Sequence, residues 1–300
     1  MIQPLKEVLK IERIPSLPVH VTLKKKHLTD DQLGAEFPIN ESAYHMLKEM
    51  DGKKTEGEIT ESIAKIFNVK EKVISNDFNK LLLELNSHYL VALRYQSPSL
   101  LVTFLLQFFK QYHFKYKERY MSNGESFWSI FFTCLFIVTK KIIFIWFLFM
   151  IVATVAFLII PDQSIVNIAV YFTVIYIALI TGTALHETAH GYCHRKFAGN
   201  HGPRGFFASD MMSVKFVRPV IKPYKLKMLW ITALGPLVPG LLGASGITIT
   251  FLYLRENPVS SGFFIFSIVY FIHLLYLLPF MGDGKSIIKQ LMLERMGGQK

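Results

Sequence analysis

The chain has 300 residues, 51% of them apolar with 26 Phe, and a mean hydropathy of +0.34, which excludes an ordinary soluble domain. Its formal charge of +11 is uneven: residues 1–97 carry 14 Lys/Arg and 14 Asp/Glu, whereas residues 98–300 carry 19 and 8. A neutral module therefore precedes a basic, apolar part, whose excess positive-inside loops explain better than nucleic acid does. With only Cys134 and Cys193, no disulfide framework is implied.

Met1 to Arg13 has no apolar core of the kind a signal peptide needs, so the first domain is expected to stay in the cytoplasm. Val19 to Leu23 alternates like a strand, Lys24–Lys26 and Thr29–Asp31 read as turn, and Gly34 to Ile39 reads as the return strand of a hairpin. Three helices follow. Glu41 to Met50 is capped by Asn40, and a second helix begins at Thr55 with Glu58 three residues on, the pattern of a capping box. Ile59, Ile63 and Ile66 share one face of the second helix. The third spans residues 71–87, with Val73, Phe78, Leu81, Leu82 and Leu85 expected inward. Tyr89 to Leu93 reads as a closing strand, which makes residues 1–97 a winged-helix-like α+β domain.

The run Phe37-Pro38-Ile39-Asn40-Glu41-Ser42-Ala43, followed by Asp51-Gly52-Lys53-Lys54-Thr55 and Glu58-Ile59, resembles PqqD-type domains over residues 18–94. That resemblance implies a module that binds the leader of a ribosomally made precursor peptide. The leader would add a strand to the sheet edge and pack on the third helix, with backbone bonds supplying affinity and alternate side chains selectivity. A DNA-reading winged helix is the rival, but a neutral domain lacks the basic face it requires.

Residues 98–141 form a juxtamembrane segment. Leu, Phe and Tyr mix there with Lys110, Lys115, Lys117 and Arg119, as in a membrane-surface helix or a packed linker. Phe127 to Val138 is too short an apolar run to span alone before Lys140-Lys141, and reads as interfacial or re-entrant. Residues 142–300 then hold four runs long enough to cross a bilayer: Ile142–Ile160, Ile165–His190, Met228–Leu254 and Gly262–Pro279. The fold class is thus a polytopic α-helical membrane protein of about four transmembrane helices with an N-terminal α+β domain. The 191–227 loop holds eight Lys/Arg and the 281–300 tail four, against none in 161–164 and one in 255–260. Both termini are therefore expected in the cytoplasm of a multi-pass cell-membrane protein.

His186-Glu187-Thr188-Ala189-His190 ends the second of these spans. Two imidazoles four apart lie on one helix face, close enough to share a zinc ion with the intervening glutamate beside it, and polar groups in a membrane segment are functional by default. A third protein ligand has two candidates. His194 lies about 12 Å from His186 along a regular helix, too far for zinc bonds of about 2 Å, and reads as a solvated surface residue. Asp283 follows the fourth span in Leu277-Leu278-Pro279-Phe280-Met281-Gly282-Asp283-Gly284, where Pro279 interrupts the helix and the flanking glycines let the chain turn.

The paired motifs, with Gly235-Pro236 on the third span, resemble the site-2 protease family of intramembrane zinc metalloproteases over residues 140–290. The resemblance implies His186, His190 and Asp283 as Zn2+ ligands and Glu187 as catalytic base. The chain departs from that family where Pro239 and the Leu275–Leu278 stretch replace asparagines associated with substrate handling. His273, in mid-span, reads either as a compensating substrate contact or as a packing residue. In the 191–227 loop, Gly199, Gly202, Pro203 and Gly205 suggest a lid or edge strand, and Met211 to Val217 alternates weakly as if to pair with an extended substrate.

Together the halves imply a zinc metalloendopeptidase in the lipid bilayer that cleaves a modified precursor peptide recruited through its leader, with a modifying enzyme and an ABC exporter as further partners and no nucleic acid. The alternatives are regulated cleavage of a membrane-bound signalling protein and a non-proteolytic peptide export or immunity protein.

Overall fold

The computed structural model describes residues 11–109, 116–122, 124–199, 204–210, 213–219, 226–254, 257 and 260–297, with side chains as far as 292. Residues 1–10, Lys110, Lys115, Gly202, Pro203 and Met211 lie outside the described residues. The chain forms two compact units, Met1–Tyr120 with Ala208–Ser213, and Met121–Phe207 with Val214–Lys300.

The first unit is a small α+β region. Strand β1 (Glu12–Ser16) pairs antiparallel with β5 (Ala92–Gln96), Glu12 opposite Gln96. A separate three-stranded meander is ordered β2 (Val21–Leu23), β3 (His27–Asp30) and β4 (Ala35–Pro38). The expected hairpin is corrected here: the strand returning from 21–23 is 27–30, because the three lysines already make the turn, with Lys24 N–H donating to His27 O at 3.0 Å. A second turn follows, where buried Asp30 accepts from the N–H groups of Gln32 and Leu33 at 3.0 and 3.1 Å and Gly34 takes a positive φ of 61°. The other carboxylate oxygen of Asp30 meets Arg119 at 2.6 Å, both side chains almost wholly enclosed. Burial pulls the Arg119 pKa down, and the Asp30 hydrogen bond opposes it.

Helices α1 (Glu41–Lys48), α2 (Glu56–Phe67) and α3 (Glu71–Ser87) follow. Asn40 caps the first through the Ala43 N–H, and Thr55 and Glu58 close the expected capping box on the second. Leu28, Leu47, Ile59, Ile63, Phe78 and Leu82 form the center of the core. Two residues depart from the expected faces: Ile66 is exposed, and on α3 it is Ile74, not the exposed Val73, that turns inward. The closing strand lies at 92–96, not 89–93, because Tyr89 adopts φ 62° and ends the preceding helix with a turn. Buried Tyr116 accepts from the Leu93 N–H at 3.2 Å, and burial drives its hydroxyl pKa well up. Helix α4 (Leu100–Phe109) is apolar yet buries none of its residues, and the short strand β6 (Glu118–Tyr120) comes after it in the chain.

The second unit has, among the described residues, four helices or helical stretches long and apolar enough to cross a membrane. They are α5 (Phe127–Ile159), α6 (Gln163–Ala198), α7 (Lys227–Tyr253) and the stretch Ser260–Met292. The last comprises α8 (Ser260–Phe271), a 3-10 helix (Ile272–Leu277) and α9 (Gly282–Gly297). Residues 127–138 are not a separate interfacial or re-entrant piece but the opening turns of the 33-residue α5. Lys140 and Lys141 do not break it, since long cationic side chains reach away from an apolar surface while the backbone stays helical. Helix α5 packs on α6, and α6 on α7 and α8. The Trp146 indole N–H donates to Thr173 Oγ1 at 3.2 Å across the first of these contacts. Large side chains such as Phe144, Leu148 and Ile151 face outward, as lipid contact requires.

Candidate metal centre and peptide groove

His186 and His190 are one helical turn apart on α6, and both rings are buried, with 5% and 2% relative exposure. Asp283 comes from the first turn of α9, 97 residues beyond His186, and is 8% exposed. Pro279 explains how it arrives. The helix tightens to 3-10 from Ile272 and stops at Leu278, in line with the restriction on residues before proline. The chain then turns back so closely that a side chain at Gly284 would overlap the carbonyls of Leu277 and Leu278. Only a glycine lets α9 start there, and that start places Asp283 opposite α6.

Donor atoms of three residues converge. His186 Nε2 and His190 Nε2 are 3.2 Å apart, Asp283 Oδ2 is 3.0 Å from the former and Asp283 Oδ1 3.4 Å from the latter. Donors about 2.05 Å from one tetrahedral ion stand about 3.3 Å from one another, so the triangle has the size a small divalent cation needs. The ring contacts agree. His190 Nδ1 lies 2.6 Å from Ile231 O and donates to it, which leaves the Nε2 lone pair directed at the other two donors. Buried His186 Nδ1 has no hydrogen-bond partner among the described residues. His186, Glu187 and His190 also present ligand atoms within 4.8 Å of one another. The donor set fits a metal ion.

Glu187 completes the group. Its Oε1 is 3.8 Å from His186 Nε2, and its Oε2 accepts the Phe216 N–H at 2.6 Å. Phe216 lies on β8 (Val214–Val217), which follows β7 (Phe206–Ser209) in the loop between α6 and α7. The described part of the weakly alternating 211–217 stretch is thus a strand, and one of its N–H groups is engaged by the glutamate.

Helix α7 is built around the His190 ring. A Cβ at Gly235 would fall 2.7 Å from His190 Nδ1 and closer still to Cε1 and Nε2, so the ring occupies the space a side chain would take. This gives the Gly235-Pro236 pair its physical reason. Arg218, just past β8, was not singled out from the sequence, yet its guanidinium lies 3.3 Å from Asp283 Oδ1 and 3.2 Å from Thr232 Oγ1. A basic residue at the end of a short strand, directly before Pro219, was the available signal.

His273 and His194 behave differently. The His273 ring centroid is 5.7 Å from that of His186, and its Nδ1 lies 3.2 Å from the carbonyls of both Val269 and Tyr270. It faces the centre without joining the donor triangle. Tyr276, also unremarked in the sequence, has its ring 5.3 Å from His186. His194 is fully buried, with Nε2 2.8 Å from Pro219 O and its ring against Phe216. The expectation of a solvated surface histidine is therefore wrong, because β8 and the Pro219 carbonyl cover it. Its exclusion as a ligand rests on its place two helical turns beyond His186.

In the first unit a groove of ~400 Å³ runs between β4 and α3. Leu28, Phe37 and Ile39 form one wall and Leu81, Leu85 and His88 the other, with Asp77, Lys80 and Glu84 along the helical side. Strand β4 is an edge of its sheet, and its residues Phe37 and Pro38 line this groove.

Residues 28–91 match the family described as coenzyme PQQ synthesis protein D (PqqD). No curated protein and no solved structure matches the chain. The region that contains the groove is thus PqqD-like.

Proposed function

We propose that the protein is a membrane-embedded zinc metalloendopeptidase of site-2 protease type that matures a ribosomally made precursor peptide, recruited by its PqqD-like domain. The observation that carries this reading is the convergence of His186, His190 and Asp283, from two separate spans, with Glu187 beside them. Two imidazoles and one carboxylate suit zinc in a catalytic site, where three protein ligands leave a position open.

Zinc held there supplies Lewis acidity toward a peptide carbonyl and toward water. His186, His190 and Asp283 would hold the ion. Glu187 takes the proton of the attacking water and delivers it to the departing amine nitrogen. The Phe216 N–H on Oε2 fixes the carboxylate's rotation and leaves Oε1 for proton transfer. His273 and Tyr276 face His186, which supports reading them as substrate contacts.

The groove supports the second half of the reading. An extended leader can hydrogen-bond to the β4 edge while its apolar side chains enter the space against α3, the arrangement expected of PqqD-type domains. Tethering raises the local substrate concentration to about the millimolar range, so weak leader binding suffices.

The test begins with the reading frames beside the gene, where a short peptide next to a modifying enzyme and an exporter supplies the substrate. With that peptide and the full-length protein, Glu187→Gln should lower cleavage by about 100-fold or more while metal content stays unchanged. Deleting residues 1–97 should cripple cleavage of the precursor and spare the metal. Cleavage at the wild-type rate by Glu187→Gln would sink the protease reading, and unaffected cleavage after the deletion would sink the recruitment reading.

A further inference from the structure

Arg218 carries an inference of its own, one that rests on the metal-centre reading above. Its side chain is 19% exposed, so most of the guanidinium is held among protein atoms. One nitrogen is 3.2 Å from the hydroxyl of Thr232 and the other 3.3 Å from Asp283 Oδ1. Thr232 is fully buried and donates its own proton to Met228 O at 2.9 Å, which leaves its oxygen lone pairs to accept from Arg218 and from Gln290. The guanidinium is therefore seated by a fixed acceptor on α7 before it reaches Asp283 on α9. It also lies 3.3 Å from His190 Nδ1, but that nitrogen donates to Ile231 O at 2.6 Å and cannot accept.

We propose that Arg218 is a positioning residue of the metal centre. It holds Asp283 by Oδ1, the oxygen that also lies 3.4 Å from His190 Nε2, and so keeps Oδ2 turned toward His186 Nε2, 3.0 Å away. An aspartate on a bent chain next to Gly284 has rotational freedom about its side chain, and a ligand that rotates away is a lost ligand. The planar fork spans two acceptors on two helices at once, which a lysine ammonium does less well. Ligating carboxylates are ordinarily hydrogen-bonded in this way, and losing such a partner costs about 10- to 100-fold in metal affinity.

Full-length protein in detergent tests this by zinc competition with a chromophoric chelator and by the visible spectrum after Co2+ substitution. Arg218→Gln and Arg218→Ala should bind zinc about 10- to 100-fold more weakly and show an altered cobalt spectrum, with Arg218→Lys recovering part of both. Adding Arg218→Ala to Asp283→Asn should change affinity by less than about twofold, since the two act through one ligand. If Arg218→Ala does not fold, the Gln and Lys variants decide. Wild-type affinity and an unaltered cobalt spectrum in Arg218→Gln would overturn the proposal, as would an equal loss in the Asp283→Asn background. A wild-type chain that binds no zinc overturns the metal-centre reading along with it.

Discussion

Gly235→Ala separates the metal centre from the stability of the helix that frames it. Alanine is the better helix former by up to about 1 kcal/mol, so propensity alone makes the variant at least as stable as the parent. The His190 ring sets the opposite sign. A Cβ at residue 235 would lie 2.7 Å from Nδ1, against ordinary contacts of 3.4–4 Å, and nearer still to Nε2. The ring cannot turn aside without breaking its 2.6 Å bond to Ile231 O. It must recede by about 1 Å at Nε2, several times the ±0.2 Å within which metal–ligand distances hold. One of three protein ligands is then lost, and zinc affinity should fall about 100-fold or more, beyond the range for outer-shell changes. Chelator competition on detergent-purified protein measures that loss, and a thermal melt of the metal-free form checks the helix. Wild-type zinc affinity in Gly235→Ala would refute the placement of His190, and a collapse of the metal-free melt would show the glycine to serve packing alone.

Two predictions concern the first unit. Arg119→Leu leaves the Asp30 carboxylate buried without its ion partner, which should cost about 3–5 kcal/mol, read as faster hydrogen exchange across β2–β4; a loss below about 1 kcal/mol would show that the turn N–H groups alone satisfy Asp30. Burial, and then the Arg119 charge, hold the His20 pKa below 6.5 despite Asp30 and Asp31. The unfolded chain then binds more protons near that pH, so the domain should lose stability as pH falls below 6.5, and His20→Gln should flatten that part of the profile. An unchanged profile would show that other groups govern it.

The elements fixed by local signals were legible in the sequence. The Thr55 capping box, the third helix at residues 71–87 and the histidine pair one turn apart depend on neighbours within four residues, and all lie where the spacing places them. Pairings over long separations were not legible. Strand β1 contains Pro15 and two charged residues, and its partner β5 is some 80 residues away, so nothing local marks it as a strand. The two lysines in α5 looked like a boundary because charge was read residue by residue, whereas a helix carries them along an uninterrupted backbone. At the centre, Asp283 was found through the glycines and proline that bend its chain. Arg218 was missed because its significance depends on Thr232 and Asp283, 14 and 65 residues away.

The length of α6 sets the depth of the candidate metal centre. Gln163 begins the helix and His186 lies 23 residues on, about 35 Å along an axis that rises 1.5 Å per residue. Hydrocarbon in a bilayer is about 30 Å thick, and an ordinary tilt of about 20° shortens the projection by only a few ångströms. A helix that enters at Gln163 therefore carries its histidines to the opposite boundary, where headgroups and water begin. On the proposed reading, scission at that level would need no unwinding of a buried transmembrane helix, and an unfolded peptide would present its bond without ever entering the lipid.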